Sequence, residues 1–368
     1  MNWPLMRDNG MKLGIFSANC SSGLAVTKAP DRWSGSWQDN LALARIADEV
    51  GIDFMLPIAR WIGYGGDTNF HEGVLEPIPW AAGLLASTER LTVFSTIHTA
   101  FNHPLVTAKQ IATIDQIAPG RAGLNVVAGW NKPEYDAFGR DLPAEHDERY
   151  AFAQEWFDVI RELWSRPGSW DHDGTYFKLT GAASDPKPTY GRVPIFNAGA
   201  SSQGREFAAN NADFIFTPFV DLAMAERVVA SIREATAHRS REVGVLTSSH
   251  VVCRPTREEA QEFYRWYADE HADWDAVDRL MALQNMHAQS FSKEMLENFR
   301  WRFAAGHGSY PLVGSPDDVA DELEAMCSTG VGGTTLAFFD YVGELPYFAD
   351  EVLPRLERKG VRRPLVAA

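Results

Sequence analysis

Cysteine is scarce in this 368-residue chain: Cys20, Cys253 and Cys327 are the whole supply, odd in number and far apart. Thiols so spaced suggest neither a disulfide framework nor a cysteine-rich zinc site. No apolar run approaches the roughly 18 residues that a membrane-spanning helix needs. The opening residues carry Arg7 and Asp8 and lack the apolar stretch of a secretion signal. Positive charge is in deficit as well: 34 Lys and Arg stand against 49 Asp and Glu, a formal net charge of -15. Such a surface repels nucleic acid and anionic membrane unless a basic patch stands out, and none does. These absences point to a cytoplasmic protein whose partners are neither nucleic acid nor membrane.

What is present fills a core. Hydrophobic residues make up 45% of the chain and aromatics 12%, far from a disordered composition. Short apolar segments rich in branched and aromatic residues occur at 13–16, 54–58, 91–97, 122–127, 193–197, 214–216, 243–252 and 334–339. Their lengths suit buried strands of a parallel sheet, and helical periodicity at 40–50 and 151–163 separates some of them. Eight such strands predict an α/β fold, a (β/α)8 TIM barrel with insertions, within a single domain spanning 1–368. An open doubly wound sheet is the rival. Residues before Met11 read as an extension or an upstream start. The insertions are expected at about 165–192, rich in turn residues, and at about 253–312, a largely helical excursion placed to act as a lid.

The most informative segment is Gly120-Arg121-Ala122-Gly123-Leu124-Asn125-Val126-Val127-Ala128-Gly129-Trp130-Asn131-Lys132-Pro133-Glu134-Tyr135. Read as a strand running into a polar and aromatic loop, it puts Asn125 near the carboxyl end, where it either holds a ligand or ties down backbone. His146-Asp147-Glu148-Arg149-Tyr150 opens the next helix. Acidic residues suit a helix N-terminus, whereas Arg149 is unfavourable there without a phosphate or carboxylate partner.

Asn125 through Tyr135, followed by His146 through Tyr150, resembles the bacterial luciferase-like flavin monooxygenases, most closely the branch holding the pyrimidine and dimethylsulfone monooxygenases. Asp115-Gln116, Pro119-Gly120-Arg121 and Ala198-Gly199-Ala200-Ser201-Ser202 extend the resemblance over most of the chain. It implies a luciferase-like TIM barrel with reduced FMN at its C-terminal face. The flavin contacts it carries over are Ala59, Arg60, Asn125, Glu134, Arg149, Tyr150 and Ser201. Arg149, Tyr150 and Ser201 suit the FMN phosphate, offering charge-assisted and hydroxyl hydrogen bonds. Arg60 stands where the pyrimidine enzymes are expected to carry lysine, which keeps the charge but not its geometry. The implied reaction is two-component: FMNH2 reacts with O2, and a flavin peroxide delivers one oxygen atom to a small organic substrate, sulfone-like or pyrimidine-like and heterocyclic. Since no GxGxxG fingerprint is present, electrons are expected from a separate NAD(P)H-dependent flavin reductase. A homodimer or homotetramer is also implied. A deazaflavin-dependent oxidoreductase and a non-catalytic flavin-binding paralogue are the alternatives.

Besides Asn125, the candidate catalytic residues are Thr96 and His98 at the end of the third apolar segment, His103 shortly after them, and His71 beside Glu72. Glu72 either orients the His71 ring or faces elsewhere. Trp61, Tyr64 and Trp130 either line the pocket or simply pack, and His307 belongs to a glycine-flanked loop. No histidine shows a metal-binding spacing such as HExxH, so no metal is assigned.

Overall fold

The computed structural model describes residues 3–143, 145–199, 202–237, 242–284 and 293–365. Its strands are β1 (Lys12–Phe16), β2 (Phe54–Leu56), β3 (Thr92–His98), β4 (Ala122–Val127), β5 (Trp170–Asp173) and β6 (Lys178–Ala182). They continue with β7 (Ile195–Asn197), β8 (Phe214–Phe216), β9 (Gly244–Cys253), β10 (Tyr310–Gly314) and β11 (Gly333–Ala337). Eight of them, β1-β2-β3-β4-β7-β8-β9-β11, pair in parallel, and β11 returns to β1. The sheet therefore closes into a barrel, as the eight apolar segments predict, and the open-sheet alternative is excluded. Among the described residues no helix is long and apolar enough to cross a membrane.

Local sequence sets the helix limits. The helix Trp37–Val50 starts where the Ser36 side chain accepts from the Asp39 amide and stops at Gly51, at φ 81°. A left-handed residue at that point is a common helix stop, and glycine adopts it without steric cost. The helix Arg257–Arg265 opens with a reciprocal capping box between Thr256 and Glu259. Between β4 and β7, the antiparallel pair β5–β6 occupies part of 165–192. Between β9 and β11 lie the helices Arg257–Arg265, Trp274–Leu283 and Lys293–Gly306, followed by β10, which pairs with the outer part of β9. The loop expected at 306–310 thus runs directly into a strand that periodicity did not reveal.

The barrel has a closed floor. Phe54, Phe94, Phe196 and Phe214 come from four different strands yet meet across the interior, with ring centroids 4.2 to 5.9 Å apart. Neighbouring strands make room with glycine, since Gly14, Gly123 and Gly244 stand opposite Phe54, Phe94 and Phe214 in the register. A Cβ at these glycines would lie 2.4, 2.4 and 2.6 Å from the facing ring. Alternating large and absent side chains is how a small barrel fills its axis. Leu5, in the short 3-10 turn Pro4–Met6, is buried against the same phenylalanines. The stretch 3–10 is therefore more than an extension: its Leu5 helps close the base.

Candidate active site

Above this floor, the carboxyl ends of β2, β3 and β4 supply buried polar groups. Asn125 on β4 faces Thr96 on β3 in the register, and its Nδ2 donates to Thr96 Oγ1 at 3.1 Å. Thr96 Oγ1 in turn donates to the Pro57 carbonyl at 2.5 Å. That relay fixes the amide's orientation and leaves Asn125 Oδ1 as a buried acceptor without a partner.

Past β2 the chain reaches Ala59, which is buried, and Arg60. Asn19, just beyond β1, braces this stretch: its Nδ2 donates to the Ile58 and Leu75 carbonyls at 2.7 and 2.9 Å, and its Oδ1 accepts from the Ile58 amide at 3.0 Å. Arg60 Nη1 meets Glu134 Oε1 at 2.8 Å, with side chains only 5% and 1% exposed. The same carboxylate oxygen accepts from the Trp61 amide at 2.8 Å. Glu134 occupies the first turn of the helix Lys132–Ala137, so one ion pair ties the loop after β2 to the loop after β4. The Arg60 guanidinium carbon lies 5.0 Å from the Tyr64 ring centre and 5.3 Å from that of Trp130, and its Nε has no partner. An arginine in this position stacks on aromatic faces as lysine cannot.

Arg149 and Tyr150 project from the helix His146–Ser165. Arg149 is buried, its Nη1 donates to the Gly129 carbonyl at 3.2 Å, and its Nε is unpartnered. It also lines a cavity of about 270 Å³ with Ala100, Ala128 and Tyr135. Across from this helix, Gly199 after β7 touches Gly204 in the helix Ser202–Asn211: a Cβ on Gly199 would lie 2.5 Å from the Gly204 Cα. A Cβ on Gly204 would lie 2.6 Å from the Tyr150 hydroxyl. Asn197 holds the loop by donating to the Val126 carbonyl at 2.7 Å and accepting from the Gly199 amide at 2.9 Å. The result is a side-chain-free shelf beside a helix start and a tyrosine hydroxyl, the kind of surface on which backbone can approach a phosphate. Ser201 and Ala200 lie outside the described residues, as does the side chain of His146.

The histidines separate. His98, at the end of β3, is buried with Nδ1 unpartnered, and burial, seconded by the Arg60 charge, pushes its imidazole down to about 3. His307 is likewise held at about 3 by burial and then Arg60. His71 is buried and turned away from exposed Glu72 toward the Gly23 carbonyl. His103 stands apart on the surface, where its Nδ1 accepts from the Leu105 amide at 3.2 Å and caps the helix Pro104–Ile117. Thr96, His98, Asn125, Arg60 and Glu134 thus share the mouth, joined by Tyr64 and Trp130. Asn19, the Arg60–Glu134 pairing and the Gly199–Gly204 contact are not evident from sequence. A polar residue just past a barrel strand was the available signal for Asn19.

His98 and His307, with His250, which burial likewise holds at about 3, have a measurable consequence. Each protonates near 6.5 once unfolded but only near 3 in the fold, so the unfolded chain binds the extra proton first and stability falls as pH drops through 6.5. His98 and His307 should each remove about 0.7 kcal/mol between pH 7 and 6. Urea midpoints at the two pH values check this, and His98→Gln should flatten the dependence. An unchanged slope in that variant would reject the assignment.

Comparison with known proteins agrees with the barrel fold. The family model for the luciferase-like monooxygenases matches residues 11–333. A pyrimidine monooxygenase, RutA, from Methylobacterium radiotolerans is 32% identical over 365 residues, covering 97% of this chain and 94% of the relative. An FMNH2-dependent dimethylsulfone monooxygenase from Pseudomonas fluorescens is 30% identical over 357 residues, covering 95% of each chain. The crystal structure of DmoA from Hyphomicrobium sulfonivorans superposes with a TM-score of 0.85 at 22% identity, covering 98% of this chain and 90% of that one. With a barrel, a mouth of buried polar groups and these relatives in agreement, the chain belongs to the luciferase-like monooxygenase family.

Proposed function

We propose that this chain is the oxygenase of a two-component system: it binds FMNH2 and inserts one atom of O2 into a small organic molecule, sulfone-like or pyrimidine-like. The observation that carries this reading is the set of buried polar atoms without partners around one barrel mouth, Arg60 Nε, His98 Nδ1, Asn125 Oδ1 and Arg149 Nε. Buried polar groups left unpaired are costly, so their convergence signals a polar ligand. Arg149 and Tyr150, beside the Gly199–Gly204 shelf, fit a phosphate, and Ser201 is assigned there by resemblance. Asn125 Oδ1, a pure acceptor once Thr96 takes the amide nitrogen, fits an N–H of a reduced flavin ring.

Bound reduced flavin supplies the electrons that dioxygen needs, chemistry no side chain here provides. The protein's share is placement and shelter. Thr96 orients Asn125, the Arg60–Glu134 pair locks two loops over the mouth, Ala59 and Trp130 wall it, and His98 stays neutral beside Arg60. The flavin would arrive already reduced from a separate NAD(P)H-dependent reductase, and the working form would be a homodimer or homotetramer.

The deciding experiment mixes anaerobic FMNH2-loaded protein with ¹⁸O2 in the presence of sulfones and pyrimidine-type heterocycles and traces the label. One labelled oxygen in a product establishes the reading. Hydride transfer to a deazaflavin without label would favour an oxidoreductase, and flavin binding without turnover a non-catalytic paralogue. The phosphate assignment has its own check. Arg149→Ala should weaken FMN about 30-fold while leaving riboflavin within about threefold, since a charge-assisted bond to phosphate is worth about 2 kcal/mol. Equal losses for both flavins would remove Arg149 from the phosphate site.

A further inference from the structure

A second cavity, of about 320 Å³, lies away from the mouth, at the amino end of β7. It opens between the last turns of the helix His146–Ser165, the end of the helix Ser202–Asn211 and the chain entering β7. Its floor is apolar: Phe157, Trp164 and Ile195 line it and are only 3%, 2% and 1% exposed. Phe157, Arg161, Trp164 and Ser165 recur at helical spacing, so one helix face supplies much of the wall. A volume of this size over aromatic side chains with a few polar groups is typical of small-molecule sites.

Two arginines complete it. Arg192 Nη2 donates to both carboxylate oxygens of Asp213, and the guanidinium carbon lies 4.9 Å from the centre of the Trp3 ring. Those contacts fix the guanidinium plane and leave Nη1 without a hydrogen bond among the described residues. Arg161 likewise gives only Nη2 to a neighbour, Asp158, one turn back along the helix. Both cations thus keep unused donors at the edge of an apolar floor. Guanidinium donors call for carboxylate or phosphate oxygens, and the aspartate already beside each arginine disfavours a doubly charged phosphate. The floor calls for a flat apolar ring.

Position gives the cavity a role. The elements that meet here carry the proposed phosphate shelf at their other ends. Arg149 and Tyr150 stand at the start of the helix whose end holds Arg161, Gly204 is in the first turn of the helix that ends at Asn211, and Asn197 closes the strand that Ile195 opens. The two helices are also tied to each other, since Asn211 Nδ2 donates to Gln154 Oε1 at 2.7 Å.

Resting on the flavin reading above for what it regulates, we propose that this cavity is an effector site for a flat aromatic carboxylate, held between Arg161 and Arg192 over Phe157 and Trp164, and that its occupancy raises affinity for FMN. A carboxylate bridging Arg161 on the helix to Arg192 ahead of β7 fixes the spacing of two elements that the shelf needs in register. Each ligand then favours the arrangement the other requires, and the coupling is reciprocal.

The test titrates 2-naphthoate and its neutral analogue 2-naphthamide into flavin-free protein by calorimetry. The acid should bind at least about tenfold more tightly than the amide, as expected for a charge-assisted bond. Arg161→Met should remove most of that preference. Ser165→Trp, which brings an indole from the exposed helix end into the cavity, should abolish binding. Without the acid, both variants should bind FMN as the parent does. In the parent, saturating 2-naphthoate should tighten FMN at least about fivefold, and FMN should tighten 2-naphthoate by the same factor. Equal binding of acid and amide, or acid binding that survives Ser165→Trp, would overturn the site, and FMN affinity unchanged or lowered by the acid would overturn its regulatory role. If FMN does not bind at all, the flavin reading fails by itself, and the flavin-free titrations still decide the site.

Discussion

Glu134→Ala should destabilise the protein by about 3–5 kcal/mol, the usual cost of removing one partner from a buried ion pair. The loss has two sources. Arg60, with a side chain 5% exposed, is left as a buried cation without its carboxylate, and the Trp61 amide loses its acceptor. The aromatic faces of Tyr64 and Trp130 return only part of this, about 1–2 kcal/mol for a desolvated cation over rings. Glu134→Gln keeps an acceptor for both donors and should cost less, about 1.5–3 kcal/mol. The double replacement Arg60→Met with Glu134→Leu separates architecture from chemistry. Two apolar residues can substitute for a buried pair with little loss of stability, yet they supply no cation to the mouth. Urea denaturation should therefore show the double variant recovering the loss caused by the stranded Arg60 charge and keeping only the cost of the Trp61 amide's missing acceptor, about 1–3 kcal/mol, while flavin titration and oxygen incorporation show it impaired. A Glu134→Ala protein within about 1 kcal/mol of the parent would mean that water reaches Arg60 and that the pair is not what joins the loops.

Gly199→Ala should lower FMN affinity at least about 100-fold, close to 3 kcal/mol. Gly199 has no positive φ, so alanine is conformationally acceptable there and the effect is purely one of space. The new methyl would sit 2.5 Å from the Gly204 Cα. Backbone faces backbone, and no rotamer change can relieve the contact, so the loop after β7 must move off the helix Ser202–Asn211. Moving it opens the shelf and displaces the start of that helix from Tyr150. Gly332→Ala is the control, because its Cβ would find nothing nearer than the Val245 carbonyl oxygen at 3.6 Å. Fluorescence titration of both variants with FMN decides the matter. If Gly199→Ala binds FMN as the parent does, the shelf is not the phosphate site.

The barrel was legible because its strands are short, apolar and bounded. Even the three-residue β8, Phe214–Phe216, stands out as an aromatic and branched run between polar neighbours. The strand β10 did not, because Pro311 lies inside the five residues Tyr310–Gly314 and the turn residues Gly308-Ser309 immediately precede them. At the site, residue types could be read but partnerships could not. Arg60 and Glu134 are 74 positions apart, and nothing local to either announces the other. Asn125 reads as a polar residue near a strand end, but only the closed barrel brings Thr96 beside it and turns its oxygen into a free acceptor. His71 invited pairing with its neighbour Glu72, whereas backbone direction sends the ring to Gly23, 48 positions away. His103, attractive for its place after a strand, serves a preference that histidine shares weakly with serine and aspartate, the capping of a helix start.

The phenylalanine floor makes the barrel a blind well. Phe54, Phe94, Phe196 and Phe214, with Leu5 beneath them, leave no passage through the base. A molecule that settled on this floor would have to leave by the mouth it entered, and a second one bound above it would block that exit. Order of arrival is in this way written into depth. A mutation that opened the floor, such as Phe196→Ala, would convert a queue into a thoroughfare before altering any reacting group.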